Sequence, residues 1–141
     1  ELRQKGLAFS PAAKAELAVL GDAVSDILSR TFEAYRRNDA AMAEQVEPLE
    51  QVIDRLVAAI RGRHITRLKK GECSIELGFI LSDLLNNYER ISDHCSNIAV
   101  AVIEISQHSF DTHKYLNARK TASGAFNRTF EEFGRKYALP D

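Results

Sequence analysis

The chain has 141 residues, with 19 Lys and Arg against 20 Asp and Glu, a formal net charge of -1, and 45% hydrophobic residues. That length can bury a core of its own without disulfides or metal, and 7 Gly with 3 Pro are too few for a turn-rich β-sandwich. Near-neutrality removes the electrostatic case for a nucleic-acid binder, and no apolar run approaches the roughly 20 residues of a membrane helix. The start, Glu1-Leu2-Arg3-Gln4-Lys5, is polar and lacks an initiator Met, so the chain reads as a single domain, 1–141, excised from something longer. Cys73 and Cys95 form no CxxC pair, which fits a reducing compartment.

Hydrophobic periodicity predicts helices throughout and no alternating strand. The first helix, 11–37, begins at Ser10-Pro11, a cap followed by a residue suited to the first helical position. Its stripe is Leu17, Leu20, Val24, Ile27/Leu28, Thr31 and Tyr35. The second, 40–70, starts from Asp39 and carries Val46, Leu49, Ile53, Leu56, Ile60 and Leu68 before Gly71. Pro48 inside it predicts either a kink or a restart after a short lead-in. The third, 74–104, runs from a Ser74 cap through Leu77, Leu81, Leu84, Tyr88, Ile91, Cys95, Ile98 and Val102. A fourth is predicted over 112–137, with Tyr115, Leu116, Phe126, Phe130, Phe133 and Tyr137 as an aromatic stripe and Gly124 as a weak point. Short connections favour an all-α, up-down antiparallel bundle, and core packing accounts for all the stripes.

The neutral total conceals segregation. Residues 74–104 hold Glu76, Asp83, Glu89, Asp93 and Glu104 against Arg90 alone, whereas 61–70 hold Arg61, Arg63, Arg67, Lys69 and Lys70 with no acid. The basic cluster lies at a helix C-terminus, where the dipole favours cations, and docking to acidic lipid headgroups or a partner's loops is the other use of such a cluster.

Three acid pairs at i,i+4 lie on three successive predicted helices: Asp22/Asp26, Glu50/Asp54 and Glu89/Asp93. Like charges at this spacing share a helix face and repel, so each pair needs hydration or a cation. Asp22 and Asp26 fall opposite the apolar stripe and read as solvated. Glu50 and Asp54, extended by Glu47, flank the second helix's apolar stripe, and Glu89 and Asp93 lie beside Ser82 and Ser96. Carboxylates converging from adjacent antiparallel helices can hold a hard or borderline cation, although spacing alone is met first by solvated faces. A carboxylate di-metal enzyme is a remote alternative, because no Glu is followed three residues later by His; HExxH, the P-loop and the dinucleotide glycine pattern are absent as well. His94 should point away from the Glu89/Asp93 face and serve packing, while His64, His108 and His113 are isolated. Cys73 reads as an ordinary thiol.

The segment Asp83 to Ala99 resembles the signature helix of the PhoU family, with Glu89-Arg90-Ile91, Asp93-His94 and Asn97-Ile98-Ala99 in register. Glu50-Gln51-Val52-Ile53-Asp54-Arg55-Leu56 is similar to that family's preceding E/D-xxx-D helix. The resemblance implies a three-helix unit, here with a C-terminal fourth helix, that is non-enzymatic and tied to phosphate uptake and its regulation. It also implies that Glu50, Asp54, Glu89 and Asp93 can bind a divalent or iron-type metal cluster, with Asp22 and Asp26 as outside candidates and Arg90 as an internal counter-ion. Ser92 stands where the family has Gly, and one unit is present where PhoU proteins carry two, which leaves room for a homodimer. Residues His113–Leu116 and Phe130–Leu139, with the Leu7–Ser10 lead-in, resemble the cytoplasmic PhoU-like domain that follows the membrane portion of bacterial sodium/phosphate cotransporters. That implies a regulatory domain at the cytoplasmic face of the inner membrane, partnered by its own transmembrane transport domain; a free-standing PhoU-like adaptor is the alternative.

Overall fold

The computed structural model describes residues 9–107 and 126–140. Four helices occupy the first stretch: α1 (Pro11–Arg37), α2 (Ala40–Ala43), α3 (Val46–Lys69) and α4 (Ile75–Gln107). A fifth, α5, covers 126–136. No strand occurs among the described residues, so the all-α expectation holds. The rest of the predicted fourth helix, including Tyr115, Leu116 and Gly124, lies outside them.

The helix ends follow local chemistry. Ser10 Oγ accepts from the Ala13 N–H at 3.2 Å, with Pro11 in the first turn where its missing N–H costs nothing. Asn38 ends α1 in the left-handed region at φ 52, returning its N–H to the last carbonyls. Asp39 caps α2 through the Met42 N–H at 3.1 Å. The predicted second helix is therefore two pieces: α2 stops at Ala43, and α3 restarts at Val46. Pro48 sits in the first turn of α3, where no N–H is called for, and so starts a helix instead of kinking one. Gly71, at φ 74, ends α3, and Ser74 Oγ accepts from the Leu77 N–H at 3.1 Å to open α4.

α1, α3 and α4 pack pairwise into a three-helix bundle. Contacts between sequence-distant ends give the directions. Glu16 early in α1 meets Arg63 and Arg67 late in α3, and Glu47 early in α3 meets Ser96 late in α4. Both neighbouring pairs are thus antiparallel. Leu20, Ile27, Leu49, Ile53, Ile60, Leu81 and Leu85 are fully buried at the centre. The α1 seam differs from expectation at its edge: Ala34 takes the core position, while Tyr35 and Leu28 are 68% and 47% exposed. Small Ala34 leaves space for α2, whose Ala43 joins the same core.

α5 lies against α1 and α3. Phe133 and Tyr137 are buried, the Arg30 guanidinium stands 4.9 Å from the Phe133 ring, and Arg55 stands 5.0 Å from Phe130. Arg63 also donates to the Pro140 carbonyl. The end of the chain thereby covers a groove that the three main helices leave open.

Candidate functional site: a carboxylate cluster between α3 and α4

The i,i+4 spacing places Glu50 and Asp54 on one edge of α3, one turn after Glu47. Antiparallel packing brings Asp93 of α4 across to them. One carboxylate oxygen from each of Glu50, Asp54 and Asp93 lies within 4.8 Å of the other two. Glu47 sits at the rim, accepting from Ser96 Oγ at 2.6 Å. Glu50 is buried at 8% exposure, whereas Asp54 and Asp93 face solvent.

Among the described residues no Lys or Arg pairs with Glu47, Glu50, Asp54 or Asp93. Burial therefore raises the Glu50 carboxyl first, and the hydrogen bond and charge of Asp54, the charge of Glu47 and the hydrogen bond to Asp93 raise it further, to about 8. At neutral pH Glu50 holds a proton, which lets one carboxyl donate to the others where three anions would repel. A cation can take that proton's place. The donors are all oxygen, a set suited to hard cations, and three side chains leave the outward positions of the coordination sphere to water or further ligands. These residues therefore fit one hard ion; a larger cluster needs donors beyond them.

Glu89, the fourth candidate, is drawn along the groove to Arg61, at 3.5 Å, which also donates to Asn86. Arg61 thus holds the counter-ion role assigned to Arg90, which is exposed; position 90 lies one residue beyond Glu89 and turns outward. His94 is exposed, so it does not take the buried packing role expected of it. Asp22 is solvated as expected; Asp26 is not. It accepts from Arg30 Nε at 2.7 Å and from the Tyr137 hydroxyl, with Lys136 Nζ at 3.7 Å. Burial works to raise its pKa, but Tyr137, Arg30 and Lys136 together hold it below the ordinary value, and the same hydrogen bond with burial drives the Tyr137 hydroxyl upward. Asp26 is a clamp for α5, invisible from α1 alone because its partner lies 111 positions away.

At the opposite end of the bundle is a second buried acid. Glu16, 2% exposed, accepts from Arg63 at 2.9 Å and from Arg67 at 2.6 Å. The signal was present: Glu16 occupies a core position of the α1 stripe, four residues before Leu20. Part of the basic cluster thus serves an internal ion pair as well as the helix dipole. Close by, a cavity of about 160 Å³ is lined by Phe9, His64, Arg67 and Cys73 among others. Cys73 Sγ lies 3.6 and 3.9 Å from the two ring nitrogens of His64, beside the ring and not in line with either nitrogen. His64 comes this close to α4 because position 78 is Gly: a Cβ there would be 2.8 Å from His64 Nε2.

The fold and the carboxylate cluster together define an all-helical unit built around paired acidic motifs. The chain matches the PhoU domain family over residues 17–102, more than half its length, and belongs to that family. It is 28% identical over 79 residues to a phosphate-specific transport system accessory protein PhoU homolog 1 of Thermotoga maritima, covering 56% of this chain and 34% of the relative. It is 30% identical over 94 residues to a phosphate-specific transport system accessory protein PhoU homolog of Pseudomonas putida, covering 67% of this chain and 37% of the relative. The chain thus spans about a third of the length of these curated relatives, which are named as accessory proteins and not as enzymes. No solved structure matches it. Among the described residues no helix is long and apolar enough to cross a membrane.

Proposed function

We propose that this chain is a regulatory PhoU-like domain of phosphate transport, attached to a sodium/phosphate cotransporter at the cytoplasmic face of the inner membrane, with Glu50, Asp54 and Asp93 as a cation site. The observation that carries the cation site is the convergence of three carboxylates without a basic partner. Family membership and two relatives named for phosphate transport support the regulatory role. Loading would exchange the Glu50 proton for a hard cation and stiffen the α3/α4 contact. Glu89 would join only by leaving Arg61.

The free-standing adaptor fits the same family membership. Reading the gene upstream of Glu1 separates the two: several apolar stretches of about 20 residues support the transporter, and an in-frame start codon just before Glu1 leaves the adaptor. Phosphate uptake by cells carrying the full-length gene, with and without Asp54→Asn/Asp93→Asn, tests regulation. Unchanged uptake with a folded variant removes the cation site from the regulatory reading.

A further inference from the structure

We propose that Glu47, positioned by Ser96, is the fourth carboxylate of the cation site, in the place that the motif spacing gives to Glu89. The inference rests on the reading of Glu50, Asp54 and Asp93 as a cation site and adds to it a residue outside the paired acidic motifs.

The antiparallel register of α3 and α4 orders the groups along the groove between them. Glu50 and Asp93 meet within the cluster. Glu47 stands one turn before Glu50 on α3, and Ser96 stands one turn after Asp93 on α4, so these two meet on one side of it. Glu89, one turn before Asp93, lies on the other side, with Arg61 and Asn86. Each side of the cluster thus carries a glutamate, and the two are held differently.

Glu89 is answered by a full positive charge, with Arg61 Nη1 at 3.5 Å from its Oε1. Turning it toward the cluster would strip Arg61 of its anion and leave a guanidinium beside an incoming cation, like charge facing like. Glu47 is held by a neutral hydroxyl. Ser96 Oγ donates to Glu47 Oε2 at 2.6 Å, and Oε1 accepts no hydrogen bond among the described residues. Its negative charge is therefore intact, and the charges that bear on the buried Glu50 carboxyl are those of Asp54 and Glu47. Hard ions bound by few carboxylates keep water in their outward positions. An unneutralised carboxylate one turn away can accept from such a water and adds a negative charge close to the ion. Ser96 is a positioning residue, because by taking Oε2 it keeps Glu47 directed across to α4.

Isothermal titration of the full chain with Mn2+, a hard ion suited to carboxylates, tests this. Glu47→Gln should weaken Mn2+ binding about 10-fold, the low end of what losing an outer partner costs a metal site. Ser96→Ala should give a smaller loss that Ser96→Thr restores, whereas Glu89→Gln should stay near the parent value. Circular dichroism checks that each variant folds. Anomalous scattering at the manganese edge from Mn2+-soaked crystals needs no variant, and should place the ion among Glu50, Asp54 and Asp93 with Glu89 still on Arg61. Unchanged affinity in Glu47→Gln, equal losses in Glu47→Gln and Glu89→Gln, or an ion that has drawn Glu89 off Arg61 overturns the proposal and leaves the three-carboxylate site standing. No Mn2+ uptake by the parent, or uptake that Asp54→Asn/Asp93→Asn does not reduce, removes the cation site itself and the proposal with it.

Discussion

The two ends of the bundle each bury a glutamate, and they neutralise it in opposite ways. Glu16 receives two guanidinium groups from α3, both within 3 Å, and its charge is answered inside the fold. Glu50 receives only other carboxylates, so its charge is answered by a proton that anything with a stronger positive charge can displace. A buried acid with built-in cations is a structural fixture, and breaking it leaves an uncompensated charge. A buried acid among acids is exchangeable, and its occupancy responds to the surroundings. The difference gives the two ends opposite electrostatics: one buried acid is fixed by built-in cations, and the other is surrounded by acids alone.

The sharpest way to break this comparison is Glu16→Ala. It leaves the largely buried Arg67 without its anion and should cost about 3 kcal/mol in urea unfolding. A cost under about 1 kcal/mol would place Glu16 with ordinary surface pairs. Next comes cation loading. A hard divalent ion at about 100 times its Kd should add about 2.7 kcal/mol of stability, and Asp54→Asn/Asp93→Asn should remove the gain. The affinity should rise as pH rises through about 8, because the Glu50 proton must leave first. An equal stabilisation in the double variant would put the ion elsewhere.

Glu50→Gln sharpens the same contrast without metal. The folded-state pKa of Glu50 is raised, so the stability its protonated form contributes is full below the unfolded value of about 4.5 and is lost as pH rises from there through about 8. The amide cannot ionise. The variant should therefore match the parent near pH 4 and exceed it by about 2 kcal/mol at pH 9, read from urea curves at both values. A constant difference across pH would dissociate Glu50 from the charge cluster. The smallest effect concerns Ser92, fully buried in α4 with no partner for its hydroxyl among the described residues. Ser92→Ala should raise stability by about 0.5–1 kcal/mol in thermal unfolding, since the orphaned hydroxyl is removed with little change in volume. A loss would reveal a bonded hydroxyl.

Much of the fold was legible because its signals are local. The Ser10-Pro11 start, the α1 end before Asn38 and the Gly71 stop are read from residues a few positions apart, and all three appear in the structure. Pro48 was ambiguous on its own; Glu44 and Gln45 breaking the helix just before it resolved the choice in favour of a restart. The acid pairs on α3 and α4 were legible as pairs. Which members would meet was not, because that depends on the register in which two successive helices pack. Register brought Asp93 to Glu50 and gave Glu89 to Arg61. Asp26 was misread for the same reason: its face is solvent on an isolated α1 and is covered only when α5 arrives.

By itself the amino-acid order determined the helical class, the helix ends, the apolar stripes and the acidic motifs by which the chain resembles its family. Those depend on periodicity and capping, which act within a turn or two. Tertiary structure alone decided that one buried glutamate faces two arginines and that another, already beside Asp54 on its own helix, faces Asp93. The electrostatic fate of a carboxylate is set by what other helices bring within about 5 Å, and no spacing along one helix contains that distance.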